Sequence, residues 1–439
     1  MESLEIEKII FKFIFNKGKI SINKTIELVL KYCDNMKQDV INNTNIKNIQ
    51  SSLFEYLYVF NYLYKSIGLL VLTNPSTEIN TIDLLLKKYN DKFFENKNIY
   101  EKLIILSSKT NNEYSNILNK IIKEFEQKND ENKEIMVIEI NKLCNLIKKE
   151  LEKNYQLPVN EQMKKYLPDK EKSKINLTRQ NYNFLQRTVK DPELRNLIEQ
   201  LYFKKSDSSM IMFTKLVLLR HKYANLSGYK TYYELIKKKS QASSDDVKIL
   251  INDLISKLEE RSRKEIERIH RELNKDNYDN KVNLPDIIYY YEKLKTKNLF
   301  IPNNVLKVII EIFHEYFNIV IEQQDEKLFH NNVSTYVVKN NSVIMGYLYL
   351  DLSKRKNKSI VSPTSIHLCQ QYVGLNNNIY HTKVFIISGY ESLTEKCITY
   401  SDIVSLFREF GYAIQLMAYN TNKGIIFKND FDMMLSQIL

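Results

Sequence analysis

The chain has 439 residues, 43% of them apolar and 11% aromatic, with only 8 Gly and 7 Pro. This predicts two packed helical lobes and excludes a turn-rich β-sandwich or barrel. Lys and Arg outnumber Asp and Glu by 65 to 53, a net charge of +12, but the lysines form no dense stripe, so nucleic-acid binding is not expected.

Cys33, Cys144, Cys369 and Cys397 are scattered and form no C-x-x-C pair, which points to a reducing, cytoplasmic setting. The acidic start from Met1 to Glu5 resembles neither a signal nor a transit peptide. The apolar stretch from Leu53 to Leu72 is interrupted by Glu55, Asn61 and Lys65, so it reads as a buried helix and no membrane span is expected. Asn74-Pro75-Ser76-Thr77 opens the next helix, with Ile82, Leu84 and Leu85 on an apolar face. Ser243-Ser244-Asp245 caps a long helix with Val247, Leu250, Ile251, Leu254 and Leu258 at helical spacing. Its continuation carries the solvent-facing pairs Glu260–Lys264 and Glu267–Arg271.

A helix from about Asn304 to Val320 precedes a change of texture. β-branched and aromatic runs at 333–339, 342–352 and 383–388 predict a small sheet spanning about 333–388. Ser401-Asp402 caps a last helix over 402–418. Its Ile403, Leu406, Phe407, Phe410, Ile414 and Met417 form one apolar stripe, with Arg408 and Tyr412 one turn apart on the other side. An i,i+4 pair facing away from a buried stripe is the geometry of an H-E-x-x-H zinc helix.

Leu406-Phe407-Arg408-Glu409-Phe410-Gly411-Tyr412-Ala413-Ile414 resembles the L-F-H-E-F-G-H-A-L segment of the thimet oligopeptidase, neurolysin and oligoendopeptidase family of zinc metallopeptidases. Further similar segments follow in the same order: Asp191-Pro192-Glu193-Leu194-Arg195, Leu219 to Tyr229, Asp286 to Tyr290, Gly346 to Leu352 with Arg355 and Lys358, and Asp430 to Gln437. Residues 1–190 show only faint similarity.

The resemblance implies a mainly α fold, a neurolysin-like two-lobed scaffold with a small sheet beside a channel and with the C-terminal part missing. It divides the chain into an N-terminal helical lobe, 1–190, and a truncated metallopeptidase-like domain, 191–439. The family's three zinc ligands fall at Arg408, Tyr412 and Met433, and its general base at Glu409. Arginine has no lone pair to donate, and neutral tyrosine and methionine are poor zinc ligands. Neither zinc nor any other cofactor is therefore expected, and Glu409 without a metal-bound water is expected to be inert.

His314-Glu315 begins an H-E-x-x pattern that ends in Asn318, and His367, Cys369, His381 and Cys397 lack the clustering of a zinc site. No phosphate loop or G-x-S-x-G elbow occurs. The expected function is that of a pseudopeptidase binding a peptide or protein partner in the former channel. Tyr347, Tyr349, Asp351 and Arg408 are the binding candidates, the first three on a sheet edge open to strand addition. The alternatives are a metalloendopeptidase completed by another chain and a basic nucleic-acid adaptor. A homo-oligomer or second chain is expected to cover Leu416 and the apolar residues from Met433 to Leu439.

Overall fold

The structure is a computed structural model that describes residues 5–6, 8–10, 22–73, 76–109, 113–129, 131–152, 156–158, 164, 174–203, 209–237, 243–275, 283–294, 298–325, 330–356, 358, 360, 362–374 and 379–418. It is mainly α-helical with one small mixed sheet. The chain forms two compact units: Met1–Asp130 with Asn298–Leu439, and Glu131–Lys297. The division expected near residue 190 falls inside the second unit.

The first unit begins with α1 (Ile22–Asn42), α2 (Ile46–Thr73), α3 (Thr77–Phe94), α4 (Lys97–Lys109) and α5 (Glu113–Asn129). Helix α2 is apolar around most of its circumference and buries Leu53, Tyr56, Val59, Phe60, Leu63, Ile67 and Leu70. It is a core helix; no helix among the described residues is long and apolar enough to cross a membrane. Ser76 caps α3 by accepting from Ile79 N at 3.2 Å. The buried face of α3 is Ile79, Ile82, Leu86 and Phe93, whereas Leu84 and Leu85, expected beside Ile82, are exposed.

The second unit contains α6 (Glu131–Glu152), the antiparallel pair β1 (Gln156–Pro158) and β2 (Lys174–Asn176), α7 (Arg179–Thr188), α8 (Pro192–Phe203), α9 (Met210–Leu226), α10 (Tyr232–Lys237), α11 (Ser244–Lys275) and α12 (Leu284–Leu294). Its centre is a buried ion pair joining two of the sequence motifs. Arg195 on α8 and Asp286 on α12 are both 0% exposed, and Arg195 Nη2 donates to Asp286 Oδ1. The guanidinium also donates to the carbonyls of Val189 and Lys190 at 3.0 and 2.9 Å and lies 4.5 Å from the centre of the Tyr289 ring. Asn283 and Asp286 bond reciprocally at the start of α12. On α11, Ser243 caps through the amide of Asp246 at 3.0 Å. Its stripe of Val247, Leu250, Ile251, Leu254 and Leu258 stays exposed rather than entering a core.

The first unit resumes with α13 (Pro302–Phe317), which ends three residues before the expected boundary. Asn318 adopts a left-handed φ of 53° and caps the helix, and the chain leaves directly into a strand. The strands are β3 (Ile319–Gln324), β4 (Val333–Asn340), β5 (Val343–Ser353), β6 (Thr364–Cys369), the short pair β7 (Tyr372–Val373) and β8 (Ile379–Tyr380), and β9 (Thr382–Tyr390), followed by α14 (Tyr400–Ala418). A two-residue turn with positive φ at both Asn341 and Ser342 joins β4 to β5.

The five-stranded order is β3-β4-β5-β9-β6, with β5 and β9 parallel and the other pairings antiparallel. One face, with Tyr349, Phe385 and Ile387, packs on the core that contains α2. The other face, with Leu348, Leu350, Val384 and Ile386, packs on Ile309 and Phe313 of α13 and on Leu406, Phe410, Ile414 and Met417 of α14. Gly346 has to be glycine: a Cβ there would lie 2.6 Å from the Thr382 carbonyl oxygen and 2.8 Å from Met417 Cγ.

This order corrects the expected open edge at Tyr347–Asp351, because β5 is the middle strand and is hydrogen-bonded on both sides. Leu416, expected to lack cover, is 3% exposed and belongs to the core.

Asp286→Ala leaves the Arg195 charge buried without its partner, and should cost about 3–5 kcal/mol in urea unfolding. The double variant Arg195→Met/Asp286→Leu removes both charges, and should lose much less.

Candidate ligand site at the sheet edge

Helix α14 is placed by its apolar stripe and by a capping box whose cap residue, Thr399, lies two residues before Ser401. Asp402 Oδ2 accepts from Thr399 N at 2.8 Å and from Thr399 Oγ1 at 2.7 Å, while Asp402 N donates to Thr399 Oγ1 at 3.4 Å. The helix packs against β5, β9 and β6. On it, Arg408 is exposed, and among the described residues it makes no hydrogen bond or ion pair. Tyr412 is half-buried, with its ring against the core between the sheet and α13. Met433 lies outside the described residues.

Glu409 is half-buried and points to β6. Its Oε2 accepts from Ser365 N at 2.7 Å, and Ser365 Oγ donates to the Glu409 carbonyl at 3.2 Å. Strand β6 is the last strand of the sheet, so the backbone groups it turns away from β9 meet no further strand among the described residues. The Ser365 amide is one of these, and a carboxylate occupies it. Pro363, two residues earlier, has no N–H to offer the same edge.

Two residues further along β6, His367 Nδ1 lies 3.4 Å from Lys65 Nζ of α2. Burial, assisted by the Lys65 charge, pushes the imidazole down to about 3. The ring is therefore neutral, and with Lys65 as donor its Nδ1 accepts. Burial also lowers Lys65, and it pushes Lys383, whose amine lies 5.1 Å from the centre of the Tyr62 ring, down to about 7. Burial raises the Cys369 thiol to about 12, which makes it unreactive.

The remaining candidates are structural. Tyr349 is 1% exposed and stacks on Phe385 at 4.7 Å. Tyr347 is half-buried with its ring edge-on to His381. Asp351, 0% exposed, accepts from Arg355 Nη1 and Nη2 at 2.5 and 2.6 Å and from Lys358 Nζ at 2.9 Å. Lys358 also donates to the carbonyls of Asp351 and Ser353, locking the exit of β5. A peptide cannot reach Tyr349 or Asp351 without opening the core.

Cys369 Sγ donates to the His381 carbonyl and Cys397 Sγ to the Ser392 carbonyl. His314 is exposed near the end of α13. Among the described residues, no group of three or more His, Cys, Asp or Glu is placed to hold a metal ion. Sequence reasoning missed Ser365, Lys65 and the position of β6 at the end of the sheet. Their signal was Pro363 followed by a six-residue run of strand-forming type.

The family model of Peptidase family M3 matches residues 185–432, more than half of the chain. The chain belongs to Peptidase family M3. It is 24% identical over 275 residues to a probable thimet oligopeptidase of Arabidopsis thaliana, a match covering 56% of this chain and 38% of that protein. The chain thus spans well under half the length of the curated relative it matches. Similar solved structures include a Bacillus anthracis str. Ames protein assigned as oligoendopeptidase F, with TM-score 0.47 and 13% identity over 92% of this chain and 67% of that one. Another is PZ peptidase A with an inhibitor, with TM-score 0.44 and 14% identity over 89% and 63%.

Zinc in this family would be held from the helix that here carries Arg408, Glu409 and Tyr412. The described residues at the two histidine positions do not fit it. A guanidinium has five donors and no acceptor, and the half-buried tyrosine rests against an apolar core. No step routed through a metal follows from these residues.

The neutral His367 gives the M3 chain a testable acid response. Unfolded, the imidazole titrates near its reference value of 6.5; folded, near 3. Between these values the unfolded chain binds the extra proton, so the His367 contribution is complete above pH 6.5 and is lost as pH falls towards 3. Urea unfolding at pH 7 and 5 should show a smaller loss in His367→Leu than in the parent, by about 1–2 kcal/mol. Equal losses in both would place the acid response elsewhere.

Proposed function

We propose that this chain is a catalytically inactive member of Peptidase family M3 that binds a peptide or protein partner at the former substrate site. The observation that carries the reading is Arg408. It places a permanent, exposed cation at a position where a zinc site needs a neutral imidazole. The bond from Ser365 N to Glu409 supports it, since the carboxylate at the general-base position serves as a strut between α14 and β6. Strand addition would then take place on β6 rather than on β5.

The exposed apolar stripe of α11 supports a protein partner, a second copy of the chain included. The four free cysteines support a reducing compartment such as the cytoplasm.

The competing reading is a thimet-type metalloendopeptidase whose ligands another chain completes. Family membership favours it, and the donor set at Arg408 and Tyr412 opposes it. The two separate on the full-length protein dialysed against zinc. Elemental analysis should find far less than one equivalent of metal, with no chelator-sensitive cleavage of a quenched fluorescent peptide. Stoichiometric zinc with chelator-sensitive turnover would replace our reading with the competing one.

A further inference from the structure

We infer that a second binding site lies at the other end of the sheet: a cavity between α13 and strands β3, β4 and β5 that takes a monocarboxylate with a short aliphatic tail. The inference is independent of the peptide-binding reading above, since among the described residues none from β6 or α14 lines the cavity.

The cavity has a volume of about 660 Å³, within the range of roughly 300–1,000 Å³ that small-molecule sites occupy. It lies inside one compact unit. Its origin is a single small residue. On the face of the sheet turned to α13, β4 presents Ser334 and Tyr336, and Ser334 stands directly opposite Leu350 of β5. Ser334 is the one small side chain among the described strand residues that line the cavity. Further along α13, Ile309 and Phe313 are buried against the sheet and close the core. Near the start of the helix the short serine leaves the space between helix and sheet open.

The lining sets the ligand's chemistry in two parts. Ile321, Tyr336, Leu350 and Leu352 are buried and form the floor, and the half-buried Leu306 and Ile310, one turn apart on α13, form a wall. Branched aliphatic surface of this kind favours an aliphatic body, which leaves water as it enters. The rim carries Lys307, the one charged side chain among the described lining residues. It is exposed, and among the described residues its amine makes no hydrogen bond or ion pair. Asn304 and Asn332 add amide donors to the same rim. One cation compensates one negative charge, so a carboxylate fits where a phosphate, with a charge of about −1.5 to −2, is left under-compensated. The carboxylate takes a charge-assisted bond from Lys307 and the tail lies on the floor. No covalent step is involved.

The experiment is isothermal titration calorimetry on the full chain with octanoate, the neutral octanamide, and acetate as the head group alone. Octanoate should bind about fivefold tighter than octanamide, the size of one exposed charge pair, and acetate should bind far more weakly than either. Lys307→Gln, a change at an exposed position, should bring octanoate to the affinity of octanamide and leave octanamide unchanged. Ser334→Leu fills the floor and should weaken both octyl ligands by about tenfold or more. Thr394→Phe, on the exposed part of the rim, blocks the same cavity, and replaces Ser334→Leu should that variant lose its cooperative thermal melt. Lys354→Gln, an exposed lysine that does not line the cavity, should change nothing. Equal binding of octanoate and octanamide to the parent would overturn the choice of a carboxylate. Acetate binding as tightly as octanoate would overturn the aliphatic tail. Absence of octanoate binding at millimolar concentration, or unchanged octanoate binding in a folded blocking variant, would overturn the site.

Discussion

Strands β5 and β9 run side by side in the same direction, and a parallel pair cannot be closed by a hairpin. The chain must leave the sheet after Ser353 and return at Thr382. In that interval it lays down β6 on the far side of β9. This single topological constraint makes β6 an edge and β5 a centre. It also sets the demand on Asp351. The strand has to be stopped firmly, and Arg355 and Lys358 reach back to the Asp351 carboxylate and to two strand-end carbonyls. Burial keeps the Lys358 amine down to about 8, so the turn holds a cation at its limit of tolerance. The D-L-x-x-R-x-x-K pattern is a structural fastener, and the site lies one strand further on.

The helix that carries the site answers to the same pair of strands. Met417 presses against Gly346 where β5 and β9 come together, and Phe410 and Ile414 fill the same face. With a fixed stripe buried, the 100° step per residue leaves no choice about Arg408: it faces solvent, while Glu409 turns to β6. Arg408 makes no part of the helix's buried stripe, whereas Glu409 ties the helix to β6.

Much of this was legible in the sequence because it is written locally. The stripe of α14, the Ser76 and Ser243 caps and the strands of the sheet centre follow from spacing and residue type alone. Pairing was also half visible, since Asp191–Arg195 and Asp286–Tyr290 stand out as motifs; the structure adds that they meet as one buried ion pair. What was not legible depends on distant contacts. Ile319-Val320-Ile321 continues the apolar texture of α13, and only the left-handed turn at Asn318 separates helix from strand. The order of strands, and hence which edge is open, is not encoded in any one strand. The two units interleave in sequence, so no single boundary near residue 190 could describe them. The apolar stripe of α11 shows the limit of periodicity: it gives the helix and its apolar face, but not whether anything covers that face.

Glu409 beside Arg408 has a structural role that needs no metal. In a metal site, this carboxylate needs a water whose proton the metal has made acidic. Beside Arg408 the local charge is a single, diffuse guanidinium that cannot lower the pKa of water by direct coordination. What the carboxylate can still do is accept, and the strongest donor within reach is an edge amide with no strand opposite it. Moving the oxygen from a water to an amide changes its role from proton acceptor to hydrogen-bond acceptor with no change of residue. Glu409 is thus held by the fold, tying α14 to β6 through the Ser365 amide.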